Sequence, residues 1–300
     1  MTKEVVASEM QLLQDRICRR LEKLDGKSAF HQDVWKRNDG GGGRTRIIKE
    51  GNVIEKGGVN FSEVHGLITP MMKQNTEVTG DSFFATGVSI VLHPNNPHVP
   101  IIHMNVRYFE TDDGTYWFGG GIDLTPHYVV PSQAREFHEG LKQVCDKYKD
   151  SFYSDFKKWA DDYFYIPHRE ETRGIGGIFF DHLSEKNSIS KKELFQFCIE
   201  LGDTFCDLYE NQVQQGRGMT FSEDEQRWMY LRRGRYVEFN LVHDRGTKFG
   251  LYSGGRTESI LMSLPSNASW EYCFEPEKNS PEMKTLNLLK KNISWIEGSL

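Results

Sequence analysis

Apolar residues recur along this chain with two different periods. Met10, Leu13, Ile17, Leu21 and Leu24 fall three and four residues apart with charges between them, which predicts an amphipathic helix over residues 4–24. The same spacing returns after Pro131 in Phe137, Leu141, Val144 and Tyr148, and again in Phe152, Phe156, Trp159 and Tyr163. Pro131 suits a first helical turn, where its missing N–H costs nothing. Ser190 with Glu193, and Ser222 with Glu225, have capping-box spacing, and the first leads into Leu194, Cys198, Leu201, Phe205 and Leu208, a helix over 190–214. Ser280-Pro281-Glu282 opens a last helix through Leu286, Leu289 and Ile293. Residues 52–65 and 82–119 are instead rich in Val, Ile, Phe and Tyr broken by Gly and Pro, which predicts successive strands and hairpins, and residues 235–275 also read as strands. Asp39-Gly40-Gly41-Gly42-Gly43-Arg44 fits neither period. Each glycine loses more backbone freedom on ordering than any other residue, so a mobile loop is predicted over about 38–46.

Grouped strands between grouped helices predict an α+β fold, a large and mainly antiparallel sheet in one domain spanning residues 1–300. The 300 residues carry a formal charge of −6. A chain of this length builds a full core without staples. Its five cysteines include no CxxC pair, so neither a disulfide framework nor a thiolate zinc site is predicted. They read as small buried hydrophobes, Cys198 and Cys206 being the two that a neighbouring base could activate. The negative charge argues against a nucleic-acid partner. No apolar run approaches the roughly 18 residues of a membrane span, and residues 1–30 mix acids and bases unlike a targeting peptide, so a cytoplasmic protein is expected. Gly40–Gly43 and Gly119–Gly121 lack the lysine and hydroxyl of a phosphate loop.

Three segments carry candidate chemistry. In Gly87–Tyr108, two apolar runs flank a Pro/Asn turn; on a strand, His103, Asn105 and Arg107 share one face while Met104, Val106 and Tyr108 share the other. Ser89 and His93 have matching parity on the first arm. A cation, an amide and an imidazole on one face suit an anionic ligand better than a merely solvated surface. In Tyr116–Tyr128, Asp123 stands alone among glycines and apolar residues, where it caps a turn or serves as a paired acceptor or general base. In Leu231–Pro265, Arg232, Arg233, Arg235, Arg245 and Arg256 cluster, and Gly254-Gly255 before Arg256 suits an anion clamp or a tight turn.

The segments GGVNFSEVHG, HPNNPHVPIIHMNVRYF, WFGGGIDLTP, RGIGGIFFD and RRGRYVEFNLVHDRGTKFGLYSGGRTESILMSLP, in that order, resemble the oxygen-dependent coproporphyrinogen III oxidases of heme biosynthesis. The resemblance implies a homodimer, with a contact at about 236–271, whose subunit has a flat antiparallel sheet covered by helices on both sides. It implies oxidative decarboxylation of two propionates of coproporphyrinogen III to vinyls, with molecular oxygen as co-substrate and no organic cofactor. By the same resemblance, Asp123 meets the pyrrole N–H groups, His103 is the proton donor, and Ser89, Asn105, Val106, Arg107, Gly254, Gly255 and Arg256 hold substrate. Bacterial relatives imply a divalent metal at His93, His103, His138 and His168, although four scattered imidazoles have no ligand spacing of their own. His243 and Glu136 depart from the family pattern. A porphyrin-binding carrier on the same scaffold is one alternative. A non-heme iron oxygenase, suggested by His168-Arg169-Glu170, is another.

Overall fold

The computed structural model describes residues 1–69, 78–252 and 255–297. Helix α1 (Lys3–Asp25) precedes a meander of β1 (His31–Lys36), β2 (Gly41–Lys49), β3 (Ile54–Leu67), β4 (Ser82–Pro94), β5 (Ile101–Thr111) and β6 (Tyr116–Thr125). Helices α2 (Pro131–Asp146) and α3 (Phe152–Tyr163) follow, then the two-residue strands β7 (Tyr165–Ile166) and β8 (Glu171–Thr172), and β9 (Gly176–Leu183). The chain continues through α4 (Lys191–Gly216), α5 (Glu223–Glu238), a π-helical turn (Phe239–His243), α6 (Arg245–Tyr252), α7 (Thr257–Leu261) and α8 (Pro281–Leu288). The main sheet has seven antiparallel strands in the order β1-β2-β3-β4-β5-β6-β9, so the α+β expectation holds.

Strand alternation gives the sheet two unlike faces. Val88, Ile90 and Leu92 of β4, Met104, Val106 and Tyr108 of β5, and Ile122 and Leu124 of β6 point into the core, against Met10, Leu13 and Ile17 of α1 and Phe197, Leu201 and Phe205 of α4. α4 begins where its capping box predicts, with the Ser190 side chain accepting from Glu193 N–H. The opposite face carries α5 and α7: Tyr236 meets His93 edge-on at 5.2 Å, and a Cβ on Gly58 would strike Met262. Among the described residues no helix is long and apolar enough to cross a membrane.

Three expectations need correction. Beyond Gly40 the four-glycine segment is not a loop: Gly41, Gly42 and Gly43 belong to β2, all three paired with β3 and Gly42 and Gly43 also with β1. These glycines relieve crowding rather than confer freedom. A Cβ on Gly42 would lie 2.3 Å from the Trp35 carbonyl oxygen, and one on Gly43 would lie 2.3 Å from the Trp35 ring. Residues 235–275, read as strands, contain the end of α5, the π turn, α6 and α7, and no strand among the described residues. The pattern misleads because Leu241, Val242, Phe249, Leu251 and Tyr252 in this span are exposed, so the apolar spacing there does not follow a buried face. α8 also stops at Leu288, short of Ile293.

Candidate active site

The polar face of the sheet is organised in rows by strand register. One row runs Asp33, Thr45, Asn60, Ser89, Asn105 and Gly121 across β1 to β6; the next pairs Gly87 with Arg107 and Gly119; a third pairs Val91 with His103 and Asp123. The register therefore places Ser89, His103, Asn105 and Arg107 on one surface, as their parity predicts, and brings Asp123 of β6 onto the same surface. Val106 lies on the other face, fully buried, and only its backbone borders the row. α7 is strapped over the β2–β3 end: Asn60 Nδ2 donates to the Ser259 carbonyl at 2.7 Å, and Thr45 Oγ1 lies 2.9 Å from Ser259 Oγ.

At the β5–β6 end stands a buried charge chain. His103 Nδ1 lies 2.6 Å from Asp123 Oδ1, and Arg173 Nη2 donates to Asp123 Oδ2 at 2.5 Å. Arg173 also donates from Nη1 to Asn240 Oδ1 at 2.9 Å, with its guanidinium 4.4–4.7 Å from the ring centres of Phe164, Tyr236 and Phe239. Burial works against the Asp123 carboxylate, but Arg173 and then His103 outweigh it and hold its pKa below the ordinary value. Only 3 % of the Asp123 side chain is exposed, against 18 % for His103, so the imidazole is what this pair presents to the face. Because an ionised carboxylate only accepts, Nδ1 carries the hydrogen and Nε2 is left to exchange a proton.

Both candidate clamp arginines are engaged. Arg107 donates from Nη1 to Asn105 Oδ1 at 3.2 Å and pairs through Nη2 with Asp181 Oδ2 at 2.9 Å. Arg256, the N-cap residue of α7, pairs with Asp33 of β1. Gly255 donates its N–H to the Gly250 carbonyl at 2.8 Å, so the expected amide contact to an anion there is already used. Gly254 lies outside the described residues. Arg173, Asn240, Asp181 and Asp33 escaped the sequence reading; the one signal for Arg173 was its place at the head of RGIGGIFFD.

The four candidate metal histidines do not gather. His93 bonds through Nε2 to the Ser263 carbonyl at 2.8 Å; His138 lies on α2, bonded to Tyr153 Oη at 3.0 Å and the Ile175 carbonyl at 3.1 Å. His168 contacts Glu238 Oε2 at 2.8 Å and His243 at 3.0 Å, with its Nε2 directed to Glu238 rather than to Glu170 of the HxE motif. Burial, and for His93 also Arg233, pushes the His93 and His138 imidazoles down from their ordinary pKa, that of His138 to about 3. Among the described residues no group of three or more His, Cys, Asp or Glu is arranged to hold a metal ion. The candidate nucleophiles Cys198 and Cys206 are buried thiols pushed upward by desolvation, Cys206 to about 12, and so lie far from the thiolate form.

The family model for coproporphyrinogen III oxidase matches residues 5–295. The chain is also 47 % identical over 298 residues to a protein of Arabidopsis thaliana described as coproporphyrinogen-III oxidase 1, chloroplastic, an alignment covering 94 % of this chain and 76 % of that relative. With the match spanning nearly every element that builds the polar face, this chain belongs to the coproporphyrinogen III oxidase family.

Proposed function

We propose that this protein catalyses the aerobic oxidative decarboxylation of two propionate groups of coproporphyrinogen III to vinyl groups, giving protoporphyrinogen IX. One observation carries the reading: Ser89, Asn105, Arg107 and Arg256 lie on the sheet face that also presents His103 over the buried Asp123–Arg173 pair. A flat tetrapyrrole with four peripheral carboxylates and four central N–H groups calls for cations at its rim and an anion-backed base beneath its centre. The arginines supply the rim by charge-assisted hydrogen bonds. Asp123, with both oxygens engaged, acts on the centre through His103, whose Nε2 accepts or returns a proton. For each propionate a C–H bond and the bond to the carboxylate break, carbon dioxide leaves, and two electrons pass to oxygen. The reading needs no organic redox cofactor, and of the histidines named for a metal His138 and His168 have both ring nitrogens engaged by other partners.

Aerobic incubation with coproporphyrinogen III tests it: protoporphyrinogen formation with matching carbon dioxide release, unchanged after chelation, is expected. Binding without turnover would make the protein a carrier, and activity lost on chelation but restored by iron would favour the oxygenase reading. The same proposal includes a homodimer joined through residues 236–271, where Leu241, Val242, Phe249, Leu251 and Tyr252 are exposed. Sedimentation as a monomer at micromolar concentration would reject that contact.

A further inference from the structure

Arg107 and Asp181 belong to strands separated by a third, and their pairing depends on what lies between. Asp181 is on β9, Arg107 on β5, and β6 runs between them with Gly119 at the crossing point. A Cβ at Gly119 would lie 2.5 Å from Asp181 Oδ1 and 2.7 Å from Arg107 Nε, so the missing side chain opens the path. The β6–β9 register shifts here, between Phe118 and Gly120, and His182 adopts a left-handed φ of 53°. Its N–H donates to Asp181 Oδ1 at 3.0 Å, which fixes the carboxylate while Oδ2 faces the guanidinium. The pair is open to solvent, with 42 % of the Arg107 side chain and 24 % of Asp181 exposed. Asp33 holds Arg256 in the same way at the other end of the polar row.

We infer that Asp181, and in parallel Asp33, is a built-in competitor for the substrate's carboxylates. The inference rests on the reading of Arg107 and Arg256 as propionate-holding groups. An incoming propionate takes the position of Asp181 on Nη2 of Arg107, exchanging one carboxylate for another. The exchange is cheap because the protein pair is solvated and worth little by itself. The substrate brings four carboxylates and the product keeps two, so each decarboxylation removes a competitor that Asp181 and Asp33 do not lose. The aspartates thereby loosen the hold on any bound carboxylate and re-pair the guanidinium that a decarboxylation leaves empty. They are positioning residues: no bond to them forms or breaks.

The test compares Asp181→Asn and Arg107→Ala with wild type, using fluorescence titration with coproporphyrin III and with protoporphyrin IX, alongside steady-state kinetics on coproporphyrinogen III. Asp181→Asn keeps the shape and removes the charge. It is expected to tighten coproporphyrin III on the order of threefold to tenfold, protoporphyrin IX by no more than that, and to lower KM, while Arg107→Ala weakens coproporphyrin III. Unchanged or weaker porphyrin binding in Asp181→Asn, with Arg107→Ala weakened, overturns the inference alone and makes Asp181 a support for Arg107. Wild-type binding in Arg107→Ala overturns the reading of the site, and the inference with it.

Discussion

His103 and Asp123 sit directly opposite each other on neighbouring antiparallel strands, with Nδ1 of the one 2.6 Å from Oδ1 of the other. Register alone delivers the contact, and Arg173 reaches it from the segment between β8 and β9. Asp123 thus has two loads, the orientation of an imidazole and the neutralisation of a buried guanidinium.

Substitution separates the two loads. His103→Ala should lower kcat about 10²- to 10⁴-fold with little change in melting temperature, since it removes the proposed proton-transfer group and strands no charge that Arg173 does not already balance. Asp123→Asn should lose activity and also about 3–5 kcal/mol of stability, because Arg173 stays buried without its counter-charge. Calorimetry beside kinetics distinguishes them; a wild-type melting temperature in Asp123→Asn would reject the second load.

Acid sensitivity should centre on Glu238. Burial opposes its ionisation, but hydrogen bonds from Arg169, His168 and Trp270 prevail and hold its carboxyl at about 2. A depressed acid stabilises fully above its unfolded pKa, roughly 4.3, and that contribution is lost as pH falls toward the folded value. Glu238→Gln should therefore flatten the stability profile between about pH 4.5 and 2. An unaltered acid limb would show that the contacts contribute nothing net.

Arg107→Ala should raise KM for coproporphyrinogen about tenfold or more, the order expected of one charge-assisted hydrogen bond. Arg107→Lys should recover only part, because Lys lacks the planar fork that reaches Asn105 and a carboxylate together. Equal KM values for Lys and Arg would mean that charge alone matters there.

Gly119→Ala and Gly177→Ala should fail differently. At Gly119 the new methyl meets the ends of two side chains that can move aside, so the protein folds while substrate affinity changes. At Gly177 φ is +156° and the Cβ would lie 2.0 Å from the Ile122 carbonyl oxygen, so folding itself suffers. Comparing soluble yield and porphyrin binding for both variants checks this contrast.

Thiol titration of the native protein near pH 8 should modify Cys273 alone, the other four cysteines being buried. Denaturation should release all five. Rapid labelling of Cys198 or Cys206 in the folded protein would reopen a nucleophilic role for them.

Much of the fold and part of the site was legible in the sequence. Helix periodicity and the Ser190 and Ser222 boxes mark helix starts, and the alternation of His103, Asn105 and Arg107 identifies the polar face of β5. What escaped was long-range or inverted in pattern. Arg173 gains its meaning from Asp123, 50 residues earlier, and Asp181 from a bulge and a glycine on another strand. Residues 232–243 put arginines inward and leucine and valine outward, so hydrophobicity misstates their geometry. Gly41–Gly43 show that a glycine run can answer to crowding between strands as well as to flexibility.

Strands β1 to β6 lie side by side in the order in which they are made, whereas β9 joins their edge only after residues 126–175 have been added. Local hairpins close before distant pairings, because the loop entropy of the latter is larger. The floor with Ser89, Asn105 and Arg107 is accordingly available to a growing chain early, while Arg173 and Asp181 arrive with the late edge. A nascent polypeptide would carry Arg107 before Asp181 exists to pair with it, and the face is complete only when the later helices bring Asn240 and Arg256 onto it.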